Sequence, residues 1–254
     1  MNGDGGAAAY ERAEALTRAD RAAEAEPEYR VAASAGHVCA MRTLGLRAVE
    51  RDDESTAETW WVQAAAAGDA KAMHNLGFLK SEQRQLAESE RWYRAAAGAG
   101  NADAAFNLAL QLVERGDRED AVEFYAQAAE AGDTKAMSNL GNLLSELGRD
   151  EEAERWLRVA VDAGSGAAMA NLGSLYFRCE RVAEYEQWWR RGAAAGDVTS
   201  MYNLAVVLEV RDRDEAAEFF RAAAAAGHPY AEEKLQGLLT GWTRSGAPYI
   251  AGIF

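Results

Sequence analysis

The chain has 254 residues, 49% of them hydrophobic, with 3 prolines, 2 cysteines and a formal net charge of -14. An acidic surface repels phosphate backbones, and the arginines are interleaved with Glu and Asp, as in Arg149-Asp150-Glu151-Glu152, so no basic stripe exists for nucleic acid. Abundant Ala, Glu, Arg and Leu with scarce Pro favour helix, and the lack of any sustained alternating run of Val, Ile, Thr and aromatics excludes a sheet.

In chain order, the opening MNGDGGAAAYERAEA has no basic segment followed by an apolar run, so a signal peptide is not expected. No stretch of about 18 apolar residues predicts a membrane span. Residues 1–35 read as a degenerate capping unit: a frayed start at Gly3, Gly5 and Gly6, a weak helix near 7–18, and a second near 21–35. Ala-Gly then recurs at Gly36, Gly68, Gly100, Gly132, Gly164, Gly196 and Gly227, five spacings of 32 residues and one of 31. Such a period marks a repeat architecture. Residues 36–226 are read as six helical hairpins, followed by a helix near 229–240 with Pro229 in its first turn. The apolar tail 241–254 holds Trp242, Tyr249, Ile250, Ile253 and Phe254. It is expected to cap the last helix or to associate with a partner or a second copy. The whole chain is read as one repeat domain.

Each unit carries two helical patterns. In the first, Met41, Met73, Ala105, Met137, Met169 and Met201 precede by three residues Leu44, Leu76, Leu108, Leu140, Leu172 and Leu204. That spacing makes one apolar stripe. A small residue follows each Leu (Gly45, Gly77, Ala109, Gly141, Gly173, Ala205), which predicts close approach of the second helix. The second pattern carries adjacent bulky residues, Trp60-Trp61, Trp92-Tyr93, Phe124-Tyr125, Trp156-Leu157, Trp188-Trp189 and Phe219-Phe220, with Tyr29 in the same column. Neighbours on a helix point about 100° apart, so one can pack inside its hairpin and the other against the next unit. The Gly after each Ala suits a left-handed helix end, and Asp69, Asn101, Asp133 and Asp197 are placed to cap the next helix.

The Ala-Met-x-Asn-Leu-Gly first helix (Ala72–Gly77, Ala136–Gly141, Ala168–Gly173) and the Ala-Ala-x-x-Gly-Asp/Asn junction resemble Sel1-like repeats, within the wider tetratricopeptide class. The resemblance covers residues 21–240, although these units are shorter than usual and the last one loses the motif at Glu233-Lys234-Leu235-Gln236-Gly237. It implies an all-α solenoid, a right-handed superhelix of antiparallel hairpins whose first helices line a concave groove. It also implies a scaffold or adaptor without chemistry of its own. The alternative is a structural, self-associating protein that uses its edges and tail.

Asn75, Asn107, Asn139, Asn171 and Asn203 precede each small residue by two, about 200° around the helix. They are expected to face the groove, where an amide can donate to and accept from a bound peptide. Local or inter-helix bonding of the same amides is the competing expectation. Beside them run three varied columns: Cys39, Lys71, Asp103, Lys135, Ala167, Thr199; then Arg42, His74, Phe106, Ser138, Ala170, Tyr202; then Leu46, Phe78, Leu110, Asn142, Ser174, Val206. Uniform packing predicts uniform columns, so this strip is the candidate recognition face, with Lys71, His74 and Lys135 able to hold a carboxylate. Among its residues Phe78, Phe106, Asn142 and Tyr202 complete the expected peptide site.

No catalytic or metal constellation and no cofactor motif is read. His37, His74 and His228 lie in different units without a zinc-type i, i+4 pair. Cys39 and Cys179 stand too far apart in the repeat frame to bridge. Reduced thiols and a cytoplasmic location are expected. The Ala-, Arg- and Asp-rich composition suits a high-GC bacterium.

Overall fold

The computed structural model describes residues 3–240, so the expectations for the tail 241–254 lie outside the described residues. Fifteen helices follow one another among them, packed as sequential hairpins. They are α1 (Gly3–Arg18), α2 (Ala22–Ser34), α3 (Val38–Val49), α4 (Glu54–Ala66), α5 (Ala70–Glu82), α6 (Leu86–Gly98), α7 (Ala102–Arg115) and α8 (Arg118–Glu130). Then come α9 (Thr134–Glu146), α10 (Asp150–Asp162), α11 (Gly166–Arg178), α12 (Val182–Ala194), α13 (Val198–Leu208), α14 (Arg213–Ala225) and α15 (Ala231–Thr240). The chain divides into two compact units, Met1–Phe124 and Tyr125–Phe254, the boundary falling inside α8. The all-α solenoid of hairpins agrees with the reading of the repeats.

The junctions form as their residues dictate. The side chains of Asp69, Asn101, Asp133 and Asp197 accept from backbone N–H groups of the first turns of α5, α7, α9 and α13, each satisfying a donor the helix cannot. His37 and Ser165 do the same for α3 and α11, two caps the column did not advertise because their residue types differ. Gly100 and Gly132 close their helices with φ of 84° and 96°.

Close approach within the hairpins follows from the small-residue column. A Cβ added at Gly45 would lie 2.2 Å from Trp61 Nε1, and one at Gly173 2.2 Å from Trp189 Nε1. Gly77 lies under Tyr93 and Gly141 under Leu157 in the same way. The second member of each bulky pair is thus the one inside its own hairpin. Trp61, Tyr93, Leu157, Trp189 and Phe220 are all buried. The indoles also donate back, Trp61 Nε1 to Arg42 O at 3.2 Å and Trp189 Nε1 to Ala170 O at 3.1 Å.

The ends differ in detail from the sequence expectation. α1 begins at Gly3, not near residue 7, and it pairs with α2 as a full hairpin burying Ala9, Ala13 and Tyr29. Gly6 is helical there, and a Cβ on it would meet Ala35 Cβ at 3.0 Å, so its small size serves packing against α2. At the other end α15 starts at Ala231, two residues beyond Pro229.

Candidate partner-binding face of the first helices

The asparagine column has internal partners. In the first unit Asn107 Nδ2 lies 3.1 Å from His74 Nε2 on the preceding first helix. Burial pushes the Tyr93 hydroxyl up to about 12, a side-chain hydrogen bond with Asn107 acting in the opposite direction. In the second unit Asn171 Nδ2 donates to Ser138 O at 3.4 Å and Asn139 Nδ2 to the Tyr125 hydroxyl at 3.4 Å. The pairs Asn107–His74 and Asn171–Ser138 span one repeat plus one residue, so this amide ties consecutive first helices. Asn75 is half-buried. Asn203 departs from the expected groove position: it is fully buried, and its amide meets no hydrogen-bond partner among the described residues. Trp189 stands where Tyr93 and Tyr125 stand in other units, and its Nε1 donates to Ala170 O, as Trp61 Nε1 does to Arg42 O beside the half-buried Asn75; what sets Asn203 apart is its complete burial.

In the column Arg42, His74, Phe106, Ser138, Ala170, Tyr202, three members pair with the residue at the next repeat junction. Arg42 forms an ion pair with the cap Asp69. Ser138 Oγ lies 2.8 Å from the cap Ser165 Oγ. Tyr202 stacks on His228 at 3.9 Å between centroids, and at the other end Tyr10 stacks on the cap His37 at 4.2 Å. Complementary pairs across a repeat junction therefore account for the side chains at Arg42, Ser138 and Tyr202 without ligand contact. Tyr202 is buried by that stack, a second departure from the expected peptide site, while His74 and Phe106 are half-buried.

The remaining candidates reach the surface. Lys71, Phe78 and Lys135 are exposed, and Asn142 is half-buried with its Nδ2 donating to Glu146 at 2.8 Å. Phe78 does not stand alone. Leu46, Phe78 and Leu110 occupy equivalent positions on α3, α5 and α7 and are 47%, 54% and 36% exposed. One turn further along the same faces stand Glu50, Glu82 and Glu114, all exposed, since residues four apart share a helix face. None of the three forms an ion pair with another described residue. Their 32-residue recurrence was the signal available in the sequence.

The second helices carry a different electrostatic pattern. Glu26, Glu90, Glu154 and Glu186 each pair with the Arg four residues on and with an Arg at or beyond the end of the next first helix: Arg51, Arg115, Arg181 and Arg211. Glu58 holds the buried Lys80 at 2.7 Å in the corresponding place. Here the carboxylates are neutralised. Beside them, a cleft of about 380 Å³ places the guanidinium carbons of Arg158 and Arg191 5.9 and 4.2 Å from the Trp188 ring centroid.

The three histidines are engaged in packing or capping contacts, and among the described residues no group of three His, Cys, Asp or Glu could hold a metal. Both cysteines are free. Partial burial, and then the Asp150 carboxylate, push the Cys179 thiol up, which lowers its thiolate fraction. No described helix is long and apolar enough to cross a membrane.

A tetratricopeptide-repeat family model matches residues 70–97 and 134–163. Among solved structures, the chain is similar to c5321, a protective antigen of uropathogenic Escherichia coli displaying an SLR fold (TM-score 0.71, 24% identity, 93% of this chain). It is also similar to a Sel1 repeat protein from Oxalobacter formigenes (TM-score 0.55, 25% identity, 75% of this chain and 88% of that one). Its structural neighbours are Sel1-like and tetratricopeptide repeat proteins. A further neighbour is YrrB, a tetratricopeptide protein described as having an unusual peptide-binding site (TM-score 0.52, 20% identity, 69% of this chain and 97% of that one). The chain spans 57% of the length of c5321. No curated protein matches the sequence.

Proposed function

We propose that this chain is a non-enzymatic scaffold that holds an extended peptide or a segment of a partner protein along the faces of its first helices. The observation that carries the reading is the row Leu46, Phe78, Leu110. Three large apolar side chains stay exposed at one repeated position, and their recurrence on successive first helices supports reading that face as an interaction surface. Peptide binding by YrrB, a neighbour in fold, is consistent with this use of the architecture. In this reading Asn107 in the first unit and Asn171 in the second each tie a first helix to the one before it, Asn139 bonds the Tyr125 hydroxyl, and the amides of Asn75, Asn107, Asn139 and Asn171 offer their remaining hydrogen-bonding capacity to a ligand. Lys71 and Lys135 stand exposed at the N-terminal ends of the same faces.

Selection from a random peptide display library tests the reading. Selected peptides are expected to lose binding to Phe78→Asp and to keep it for Val159→Asp, a change on an exposed second-helix position. No enrichment, or peptides indifferent to Phe78, would sink it.

A further inference from the structure

The geometry points to a specific ligand chemistry: the α3–α5–α7 face takes an extended basic segment in which an apolar residue recurs every third position with Lys or Arg beside it. This inference rests on the scaffold reading and names the class of partner.

Three observations combine. The first is the exposed apolar row of Leu46, Phe78 and Leu110. The second is the parallel row of Glu50, Glu82 and Glu114, one turn away and without cationic partners among the described residues. Elsewhere this chain neutralises its recurring carboxylates: the second-helix ladder places an Arg or Lys against Glu26, Glu58 and Glu90 in this same unit. A row left acidic beside an exposed apolar row favours a cation that comes with the ligand. Lys71 does not supply it, since eleven residues of helix put it about 16 Å from Glu82 along the axis.

The third observation is the contrast with the second unit. There the apolar column becomes Asn142, Ser174 and the buried Val206. The acidic column becomes Glu146, bonded to Asn142, then Arg178, paired with Asp150, then Val210. Apolar and unpaired acidic rows coincide on α3, α5 and α7 only, among the described residues.

The repeat spacing sets the ligand's period. Packed helices lie about 10 Å apart. A polyproline II segment presents the same face every third residue, about 9.3 Å on, whereas in a β-strand every third side chain points to the opposite face. Three apolar residues of a polyproline II segment can therefore meet Leu46, Phe78 and Leu110 in turn, with the adjacent residue of each triplet turned to the glutamates.

The test uses the full chain and fluorescent peptides of about fifteen residues repeating Leu-Pro-Lys, Leu-Pro-Glu or Ser-Pro-Lys, read by polarisation. The Leu-Pro-Lys peptide is expected to bind at least about tenfold tighter than either control. The Ser-Pro-Lys peptide has the same charge, so it reports general attraction to an acidic protein. Combined Glu50→Gln, Glu82→Gln and Glu114→Gln should erase most of the preference for Lys over Glu. Phe78→Ser should weaken Leu-Pro-Lys binding about tenfold, with circular dichroism checking that each variant stays folded. Equal binding of the Lys and Glu peptides, binding indifferent to both sets of changes, or no binding of the Lys peptide overturns the inference. Library peptides that depend on Phe78 but lack Lys and Arg would overturn it while leaving the scaffold reading intact. If no library peptide depends on Phe78, both fail.

Discussion

Gly173 has no room for a methyl group. An added Cβ would sit 2.2 Å from Trp189 Nε1, and the indole is held by its bond to Ala170 O. Gly173→Ala should therefore cost about 1–3 kcal/mol in urea denaturation. Gly166→Ala, whose Cβ meets nothing closer than Asp197 Cβ at 3.8 Å, should be neutral or stabilising by up to about 1 kcal/mol. A second residue-scale expectation concerns acid. Burial holds the His228 imidazole below its ordinary value of 6.5, and its Nδ1 accepts from Tyr230 N at 3.3 Å while the ring stacks on Tyr202. A lowered folded value means that the unfolded chain takes up the proton first as pH falls. His228 then contributes stability that is present above about pH 6.5 and is lost as pH falls towards its folded value. The urea midpoint should drop between about pH 7.5 and 5.5 and drop less in His228→Asn, which keeps a hydrogen-bond acceptor. An unchanged slope in the variant would assign the acid sensitivity elsewhere.

At the scale of the helix, the turn inside each hairpin is the weak point. Asp20, Asp52, Arg84 and Glu180 have φ between 57° and 59°, whereas Gly116 and Gly148 occupy the same column at 96° and 75°. A side chain costs about 1 kcal/mol in that conformation, so Arg84→Gly should raise the urea midpoint, by up to about 1 kcal/mol in stability. A fall would show that the loss of chain entropy in glycine outweighs the relieved strain. The junctions between hairpins should behave as coupled pairs. Asp69 both caps α5 and pairs with Arg42, so Asp69→Ala should cost more than the roughly 1 kcal/mol of a lost cap. A double-mutant cycle with Arg42→Ala should return a coupling of at least about 0.5 kcal/mol. The helices themselves were legible because period, caps and glycines all state the same answer. The coupled pairs were not, because Arg42 and Asp69 are 27 residues apart and neither residue type announces the other.

For the whole molecule, a net charge of -14 sets repulsion against the Arg–Glu ladder on the second helices. Exposed pairs contribute little each, whereas the excess charge repels itself over roughly the 10 Å that salt screens at 0.1 M. Tm should therefore rise from low ionic strength to about 0.15 M salt, and a falling Tm would mean that the ladder dominates. The sequence by itself determined the period, the hairpin, the close contact at Gly45, Gly77, Gly141 and Gly173, and that one member of each bulky pair lies inside its hairpin; the structure showed it to be the second, as at Trp61 and Tyr93. Those rest on local spacing, which a helix of 3.6 residues per turn converts directly into facing. Only the tertiary structure decided what each member of a repeated column does. It buried Asn203 and Tyr202, spent Asn107 and Asn171 on neighbouring first helices, and left Leu46, Phe78 and Leu110 uncovered beside three unpaired glutamates. The physical reason is that a column shares a position on the helix but not a neighbour: whether a side chain is spent or free depends on the one residue a repeat away that happens to complement it.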